Sequence, residues 1–357
     1  MSNQMKLYVD VHVLQTVPPS CINRDDTGSP KTAVYGGVTR ARVSSQAWKR
    51  AMRLMFRELF SPEQVGLRTK RATELVAAEL KALGQEKDCE KKAVKALETA
   101  GIKVNKASQT DALFFLSPMQ AKELARLAAE GETDKQCYKD AIKNYPSVDI
   151  ALFGRMVASD PSLNYDAAAQ VAHSISTHEV QNEYDYFTAV DDCAPEENAG
   201  AGHLGTVEFH SATLYRYATI NVWELARYLK EETPAAVEGF IKAFLLSMPT
   251  GKQNTFANRT VPDLAYITLR RDQPVNLAGA FERPVRANGE GYVNRSIQAL
   301  NRYALRTYRS FTAEPEQAFC VGSVEETDSI APSVGMQDML EAVRNAVADY
   351  CRMEEEQ

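Results

Sequence analysis

The stretch YGGVTRARVSSQAWKRAMRLMFREL, from Tyr35 to Leu59, predicts more about this protein than any other part of the chain. Ser44 and Ser45 stand directly before a helical pattern, where a serine hydroxyl can accept a hydrogen bond from a free N–H of the first turn. Apolar side chains then recur at spacings of three and four, which forms one stripe on a helix. The stripe comprises Trp48, Met52, Met55, Phe56 and Leu59. The stretch therefore predicts a capped helix that packs against a core.

A second face of the same helix is basic. Its cations recur at helical spacing, and Glu58 is the one acid between Gly36 and Leu59. These cations are Lys49, Arg50, Arg53 and Arg57. Like charges at a spacing of four repel by roughly 0.2–0.5 kcal/mol per pair, so a ligand of opposite charge would stabilise the row. A solvated basic face on an ordinary helix is the alternative interpretation.

The residues upstream of the helix favour a polyanionic ligand. Gly36 and Gly37 can adopt backbone angles closed to other residues and allow another chain to approach closely. Arg40 and Arg42 are two residues apart, so in an extended segment both guanidinium groups point the same way. The helix N-terminus adds positive partial charge and free N–H groups. Together these features predict a phosphate-binding surface.

The distribution of charge permits such a ligand. The net charge of −6 argues at first sight against nucleic acid. However, residues 1–58 contain nine Lys or Arg against four Asp or Glu, whereas residues 156–215 contain ten acids and no Lys or Arg. A basic N-terminal region and an acidic later region fit a protein that binds a polyanion on one face and protein neighbours on another.

Composition excludes several other classes of protein. The 357 residues suffice for one large domain or two to three lobes. The six cysteines are scattered without close pairs and the five histidines form no HExxH motif, so we expect no metal site and no cofactor. The N-terminal residues lack a signal-peptide pattern and no apolar run is long enough to span a bilayer, so we expect a cytoplasmic protein.

Two adjacent carboxylates follow the first predicted strand. Residues 6–15 alternate as a strand with one buried face, and the long loop after them carries Asn23, Arg24, Asp25 and Asp26. Adjacent aspartates in a loop can hold Mg²⁺ through oxygen ligands, or they can form turns and caps. We favour the turn, and the metal alternative stays open at this point.

The remaining patterns predict an α+β protein. Residues 63–145 are mostly helical and highly charged, residues 147–159 suggest a strand, and residues 166–178 suggest a helix of small residues. Residues 179–222 contain two β-rich arms around a connection rich in Gly, Ala, Asn and Glu, which indicates a long hairpin. The outline is strand, helix, insertion, two strands with a protruding hairpin, helix and strand. That order is βαββαβ, the ferredoxin-like order.

Aromatic side chains are dense on this predicted hairpin. Tyr184, Tyr186 and Phe187 cluster on its first arm. Aromatic residues in strands usually belong to a core, but beside a glycine-rich tip they can also insert between bases of a single strand.

Seven motifs in the correct order resemble one known family. They are SCINRDD, YGGVTRARVSSQAWKRAMR, VDIALFGRM, AHSISTHEV, DYFTAVDD, AGHLGTVEF and YRYATIN. From about residue 7 to residue 310 the chain resembles the CasC family, the backbone subunit of the type I-E CRISPR Cascade complex, and the similarity is weakest at 60–145. The resemblance implies a non-catalytic RNA-binding subunit of an antiviral ribonucleoprotein complex. Several copies would polymerise along a CRISPR RNA and present its bases for pairing with target DNA.

The resemblance also implies a hand-like shape and a set of partners. The palm would have a modified ferredoxin-like or RNA-recognition-motif fold, the insertion would form helical fingers, and the hairpin would form a thumb. The thumb would fold over the RNA of the neighbouring copy and kink it. The divisions are 1–59 for the first part of the palm, 60–178 for the fingers, 179–212 for a palm strand and the thumb, and 213–357 for the rest of the palm with C-terminal helices. The implied partners are CRISPR RNA, other copies in a helical filament, the large and small subunits, the 5′-handle-binding subunit and the crRNA endonuclease subunit.

Carried onto this chain, the resemblance assigns RNA contacts to palm, fingers and thumb base. Contacts to the RNA backbone would come from Arg24, Ser44, Gln46, Lys49, Arg50 and Arg53. Positions around the kinked base would be Arg155, Met156, Tyr186, Phe187 and Thr188. With the upstream pairs, the full predicted RNA-binding set is Arg24, Gly36, Gly37, Arg40, Arg42, Ser44, Gln46, Lys49, Arg50, Arg53, Arg155, Met156, Tyr186, Phe187 and Thr188.

A catalytic function is the main alternative. Backbone subunits of related type III effectors use an aspartate in the loop after the first strand to cut target RNA, and Asp25 and Asp26 occupy that loop. A metal-dependent RNase of this kind is therefore the alternative. A scaffold that binds no nucleic acid is a third interpretation, and it leaves the basic row without a ligand.

Overall fold

A computed structural model describes residues 6–189, 193, 203–322 and 330–355. The strands are β1 Tyr8–Ser20, β2 Thr32–Tyr35, β3 Val38–Val43, β4 Leu67–Thr69, β5 Phe114–Leu116, β6 Ala169–Val171, β7 Ser174–Ser176, β8 Glu183–Ala189, β9 His203–Asn221, β10 Leu264–Arg270 and β11 Gln317–Gly322. The helices are α1 Ser45–Leu59, α2 Ala72–Ala82, α3 Cys89–Thr99, α4 Pro118–Glu130, α5 Lys135–Lys143, α6 Val148–Phe153, α7 Val222–Leu229, α8 Thr233–Leu246, α9 Gln253–Phe256, α10 Val293–Ser310 and α11 Met336–Glu355. The chain is thus a mixed protein of helices and an antiparallel sheet.

The main sheet has β1 near its centre. Its strand order is β11-β10-β1-β9-β7-β3-β2, and β6 and β8 also pair with β9. Val11 of β1 lies opposite Ile267 of β10 on one side and Ala218 of β9 on the other, both in antiparallel register. The sheet therefore joins the N-terminal strand to the distant segments 210–221 and 264–270.

The two arms of the predicted hairpin are present as β8 and β9. Residues 210–221 of β9 pair with β1, whereas residues 203–209 pair with β8. The β8–β9 ribbon thus extends beyond the end of the ladder between β1 and β9. The predicted tip, residues 195–201, lies outside the described residues.

The sheet is covered by helices on both faces, so the prediction that β1 has one buried face was wrong. Val9, Val11 and Val13 pack in a core with α1, α8 and α11. Asp10 and His12 point to the other face, which α10 covers, and both are fully buried. Burial of these polar residues is tolerated because Asp10 accepts a hydrogen bond of 2.9 Å from the Tyr217 hydroxyl, and His12 shares one of 2.9 Å with the Tyr215 hydroxyl.

Two further element predictions were wrong. Residues 147–159 contain the helix α6 rather than a strand, because a short apolar run does not distinguish a buried helix from a strand. Residues 166–178 contain β6 and β7 rather than a helix, because their backbones pair with the long strand β9. Pairing with a distant strand overrides the local preference of alanine-rich sequence for helix.

The insertion between α1 and α6 has its own hydrophobic core, as its predicted helical content suggests. Helices α2 to α5 bury side chains such as Val76, Leu97, Leu124 and Ile142 against one another. The short strands β4 and β5 pair at its junction with the rest of the chain. Among the described helices, none combines the length and hydropathy that a membrane span requires.

Candidate nucleic-acid interface

Helix α1 is fixed in orientation at its start and along its buried stripe. The Ser44 hydroxyl accepts a hydrogen bond of 3.3 Å from the Ala47 N–H, and the Ser44 N–H donates one of 2.9 Å to the Asn23 side chain. Trp48 is fully buried, donates to the Ser174 hydroxyl at 3.0 Å, and lies 3.7 Å beneath the Arg216 guanidinium. The structure therefore confirms Ser44 as the cap of α1. Its side chain binds the first turn of the helix and is largely not exposed for a ligand.

The basic face of α1 forms one wall of an open groove of about 790 Å³ beside the helical insertion. The groove is lined by Gln46, Lys49, Arg50, Arg53, Leu54, Arg57, Gly66, Arg68, Leu113, Phe115, Phe153, Gly154, Arg155 and Met156. Six of these residues are Lys or Arg, and this lining contains no Asp or Glu. A groove with cations and aromatic rings but no acid is suited to a negatively charged ligand.

The two central cations of α1 are partly removed from solvent. The Lys49 ammonium lies 5.8 Å from the centre of the Phe153 ring, and burial lowers the pKa of Lys49. The Arg53 guanidinium lies 4.7 Å from the Phe115 ring, and burial likewise lowers the pKa of Arg53. A phosphate entering the groove would interact with these cations in a medium less polar than water, where attraction between charges is stronger.

Asp149 is a residue of this site that the sequence interpretation missed. Its Oδ2 lies 3.6 Å from the Nε of Arg53, and its side chain is fully buried. Its Oδ1 accepts hydrogen bonds of 2.7 Å from the Ser147 hydroxyl and 2.9 Å from the Gly66 N–H. Burial raises the pKa of Asp149, and the charge of Arg53 acts in the opposite direction. A lone acid inside the apolar run VDIALF was the signal that could have identified it.

Gly66 makes this arrangement possible. A Cβ at this position would lie 2.6 Å from the Ser147 hydroxyl oxygen and 3.2 Å from Asp149 Oδ1. The backbone therefore approaches the buried carboxylate closely only because residue 66 has no side chain.

Arg155, predicted to lie beside the kinked base, binds oxygens of the protein itself. Its Nη1 donates to the Phe115 carbonyl at 3.0 Å and to Gln120 Oε1 at 3.1 Å, and its Nη2 donates to the Ile142 and Leu163 carbonyls at 3.0 and 3.2 Å. The residue is buried, and burial lowers its pKa to about 10. Arg155 thus holds the insertion together, and the structure offers no exposed guanidinium here.

Met156, also predicted to lie beside the kinked base, has an exposed side chain at the rim of the groove. It directly follows Arg155, lines the groove and is 82% exposed. An apolar side chain held at the rim by a rigid neighbour can act as a wedge against a base.

Arg40 is also a structural cation, and the prediction that its guanidinium lies with that of Arg42 on a phosphate-binding surface was wrong. Arg40 is fully buried and donates to the carbonyls of Tyr35, Ser176, Phe281 and Glu282. Three of those acceptors, the carbonyls of Ser176, Phe281 and Glu282, come from distant parts of the chain, which the spacing of two residues did not reveal.

Arg42 itself is half-buried on β3. Its Nε donates to the Thr32 carbonyl at 3.1 Å, and its Nη1 lies 3.2 Å from His173 Nδ1. This guanidinium is therefore partly held by the protein and partly accessible.

The glycine pair forms the turn between β2 and β3. Gly36 and Gly37 have φ angles of +62° and +80°, which a two-residue hairpin turn of this kind requires. A Cβ on Gly36 would lie 1.7 Å from the Glu282 carbonyl oxygen. The close approach predicted at Gly36 is therefore made by the protein's own backbone.

The loop after β1 carries Arg24 at the surface and forms a turn around the Asp25 carboxylate. Asp25 Oδ1 accepts hydrogen bonds of 2.9 Å from the Thr27 N–H, 2.7 Å from the Thr27 hydroxyl and 3.0 Å from the Ser29 N–H. The hydrogen bond from Thr27 is the largest of the effects that lower the pKa of Asp25. This carboxylate forms the turn that the sequence favoured. Within the described ranges, no group of three or more His, Cys, Asp or Glu is placed to hold a metal ion.

A chain of concavities connects Arg24 with the groove. Arg24 shares one concavity with Gly251, and Gly251 shares a second with Arg50, which also lines the groove. A ligand could therefore follow a continuous surface from the loop to α1.

Besides Asp149, the sequence interpretation missed Arg68, an exposed cation on the opposite wall whose only signal was its place in the basic run LRTKR.

The predicted thumb-base residues lie on the outer part of the β8–β9 ribbon. Tyr186, Phe187 and Thr188 face Thr206, Gly205 and Leu204 of β9 in register. Tyr186 is 64% exposed, and a Cβ on Gly205 would lie 2.4 Å from Phe187 Cζ, so the Phe187 ring covers that glycine. These three residues are not part of the groove lining of the same chain.

Comparisons with known proteins find similarity along nearly the whole chain. A chain of a solved structure described as "CRISPR RNA-guided surveillance complex, pre-nicking" is 35% identical, with a TM-score of 0.82, and the match covers 94% of this chain and 100% of that chain. A chain of another, described as "CRISPR RNA-guided surveillance complex", is 31% identical, with a TM-score of 0.62, and the match covers 94% and 99%. The curated proteins contain no match. The family model described as CT1975-like protein matches residues 9–346, and the chain therefore belongs to the family of CT1975-like proteins.

Proposed function

We propose that this protein is an RNA-binding subunit of a CRISPR RNA-guided surveillance complex. Its similarity to chains of two such complexes, over 94% of its length, supports a role in an assembly that contains guide RNA. The observation that carries the proposal is the acid-free groove beside α1, whose lining places Lys49, Arg50, Arg53, Arg57 and Arg68 next to exposed Met156. We further propose that the complex is the type I-E Cascade and that the subunit is of the CasC kind.

The phosphate backbone of the guide RNA would lie on the exposed side of α1. Lys49, Arg50 and Arg53 would neutralise successive phosphates, with Gln46 donating beside them and Arg24 extending the path along the connected concavities. Affinity would come mainly from phosphate neutralisation and would fall steeply with salt. Base sequence would be read by pairing between guide and target DNA, not by the protein.

Successive copies of the chain would polymerise along the RNA as a helical backbone. Met156 of one copy is available as a wedge at the rim of the groove, and Tyr186 is exposed on a ribbon that extends past the β1–β9 ladder. An aromatic ribbon from a neighbouring copy would meet the RNA beside Met156. The acidic segment 156–215 would favour contact with the basic surface of that neighbour.

In this proposal the palm is ferredoxin-like. The strand order β10-β1-β9 with β6 and β7 beyond, and helices α1 and α8 together on one face, support that assignment. The insertion would be the fingers and the β8–β9 ribbon the thumb. The remaining partners would be the other Cascade subunits and, through the guide, target DNA, all in the cytoplasm.

We propose that the subunit is not an enzyme. The Asp25 carboxylate already accepts three hydrogen bonds within its own turn, which supports a structural role rather than metal binding. Incubation of the assembled complex with complementary RNA and Mg²⁺ tests this. We expect intact RNA, whereas cleavage at regular intervals that is lost in Asp26→Asn would establish the RNase alternative.

A further inference from the structure

Helix α10 carries a row of arginines on its exposed side. The row consists of Arg295, Arg302, Arg306 and Arg309, and all four are exposed. At 100° per residue they fall within an arc of about 60°, and at 1.5 Å per residue they span about 21 Å along the axis. No acid occurs from residue 291 to residue 313. The helix thus presents one continuous cationic edge.

The described part of the chain gives these arginines no anionic partner. Among the described residues, none of the four has a carboxylate within salt-bridge distance, although exposed arginines elsewhere do, such as Arg126 with Glu123 and Arg344 with Glu238. Asp272 shares a surface concavity with Arg309, but Arg270 holds that carboxylate at 2.9 Å. The like charges on α10 therefore repel one another without compensation from any carboxylate among the described residues.

This surface is separate from the groove beside α1. Leu14 of β1 packs with the α10 residues Ile297 and Leu300, whereas Val13 packs with α1. Neighbouring residues of a strand point to opposite faces, so the two basic helices lie on opposite sides of the sheet. A strand bound in the groove does not neutralise α10.

The chemistry of the row favours phosphate over an acidic protein. Interfaces with nucleic acid are much more positively charged than interfaces between proteins. The planar guanidinium matches two phosphate oxygens at once. Phe311, just after the helix, is 83% exposed beside Arg309 and offers a ring on which a base can stack.

We propose that the α10 surface, defined as Arg295, Arg302, Arg306, Arg309 and Phe311, binds the phosphodiester backbone of a second nucleic-acid strand. The exposed phenylalanine favours an unpaired strand over a duplex. This inference goes beyond the proposed function, because it concerns a strand other than the guide and a different face of the molecule.

The test uses the complete complex with its guide RNA bound, so that the groove beside α1 is occupied. The probes are fluorescein-labelled oligo(dT) and a labelled duplex of mixed sequence, neither complementary to the guide, and binding is followed by anisotropy. The variant is Arg302→Glu with Arg306→Glu. The matched control is Arg344→Glu with Arg352→Glu on α11, which makes the same change in charge at two other exposed arginines.

We expect the α10 variant to bind oligo(dT) at least tenfold more weakly at low salt and the control to bind like the wild type. The dependence of log affinity on log salt should fall by about 1.4, since each phosphate contact to a single strand contributes about 0.7. Phe311→Ala should weaken oligo(dT) binding about fivefold and leave duplex binding nearly unchanged.

Three results would overturn the inference. They are no binding of oligo(dT) by the wild-type complex, equal losses in the α10 variant and the α11 control, and full oligo(dT) affinity combined with loss of a protein subunit from the α10 variant. The last result would assign the row to an acidic protein. Because the guide stays bound throughout, none of these results bears on the proposed role of α1.

Discussion

Helix α1 and the part of the insertion around Arg155 hold the arginines of the groove in different ways. On the α1 wall, Arg50 is exposed and the Arg53 side chain keeps 22% of its surface accessible, with a single ion pair to Asp149. On the opposite wall, the Arg155 guanidinium donates to four oxygens of the insertion and is buried. The number of acceptors that the protein itself supplies therefore decides whether an arginine serves ligand binding or folding.

The largest effect should come from removing the buried arginine. Arg155→Met removes the four hydrogen bonds that the guanidinium donates to buried oxygens, so we expect the free energy of unfolding to fall by roughly 3–5 kcal/mol. Urea denaturation measures this change. Arg68→Met, an exposed arginine of the same groove, is the control and should stay within about 0.5 kcal/mol of the wild type. If Arg155→Met were as stable as the wild type but bound RNA poorly, Arg155 would serve ligand binding and not folding.

A smaller effect, confined to RNA binding, should follow charge reversal on the α1 wall. Lys49→Glu with Arg50→Glu avoids Arg53, whose reversal would place a carboxylate against buried Asp149. We expect affinity for RNA to fall about 100-fold at low salt, equally for all guide sequences, and the salt slope to fall by about 1.4. The double reversal on α11, Arg344→Glu with Arg352→Glu, is the control. A loss that depends on guide sequence would contradict a contact to the phosphate backbone.

The next prediction concerns the buried carboxylate of Asp149 and its effect on partly exposed Arg53. Asp149→Asn keeps an oxygen for Ser147 and Gly66 but removes the ion pair that orients the Arg53 guanidinium, so we expect RNA affinity to fall about three- to tenfold. Stability should fall by about 1–2 kcal/mol, because Arg53 loses its buried counter-charge. In an Arg53→Ala background the same change should have little further effect on RNA affinity. Equal losses in both backgrounds would show that Asp149 does not act through Arg53.

The smallest effect on stability should follow substitution of Met156 at the rim of the groove. Met156 is exposed, so Met156→Ala should leave the free energy of unfolding within about 0.5 kcal/mol of the wild type. Nuclease footprinting of RNA in the assembled complex should nevertheless change at regularly spaced positions, because the wedge beside the base is gone. An unchanged footprint would remove Met156 from the interface.

The sequence was informative where structure is locally determined. The cap at Ser44 and the stripe of Trp48, Met52 and Phe56 are properties of one helix, and the structure confirms them. The charge pattern correctly placed Lys49, Arg50 and Arg53 on one face of α1, where they line the groove. Local periodicity and capping thus sufficed for the central helix.

The sequence predictions failed for residues whose structure depends on segments that are distant in sequence. Arg40 is enclosed by carbonyls from Ser176, Phe281 and Glu282, more than 130 residues away in sequence. Residues 166–178 are strands because β9 pairs with them. The role of Asp149 depends on contact with Arg53, which lies in a different element. Contacts of this kind follow from the assembled fold and not from spacing within one segment.

The most direct test of the central claim is to express the chain with its proposed partner subunits, purify the complex gently and sequence the RNA that accompanies it. The proposal predicts short RNAs of uniform length that share a repeat-derived end, and a strong loss of this RNA in Lys49→Glu with Arg50→Glu. RNA of heterogeneous length and sequence, or RNA retained at full yield by that variant, would contradict a guide RNA held on α1.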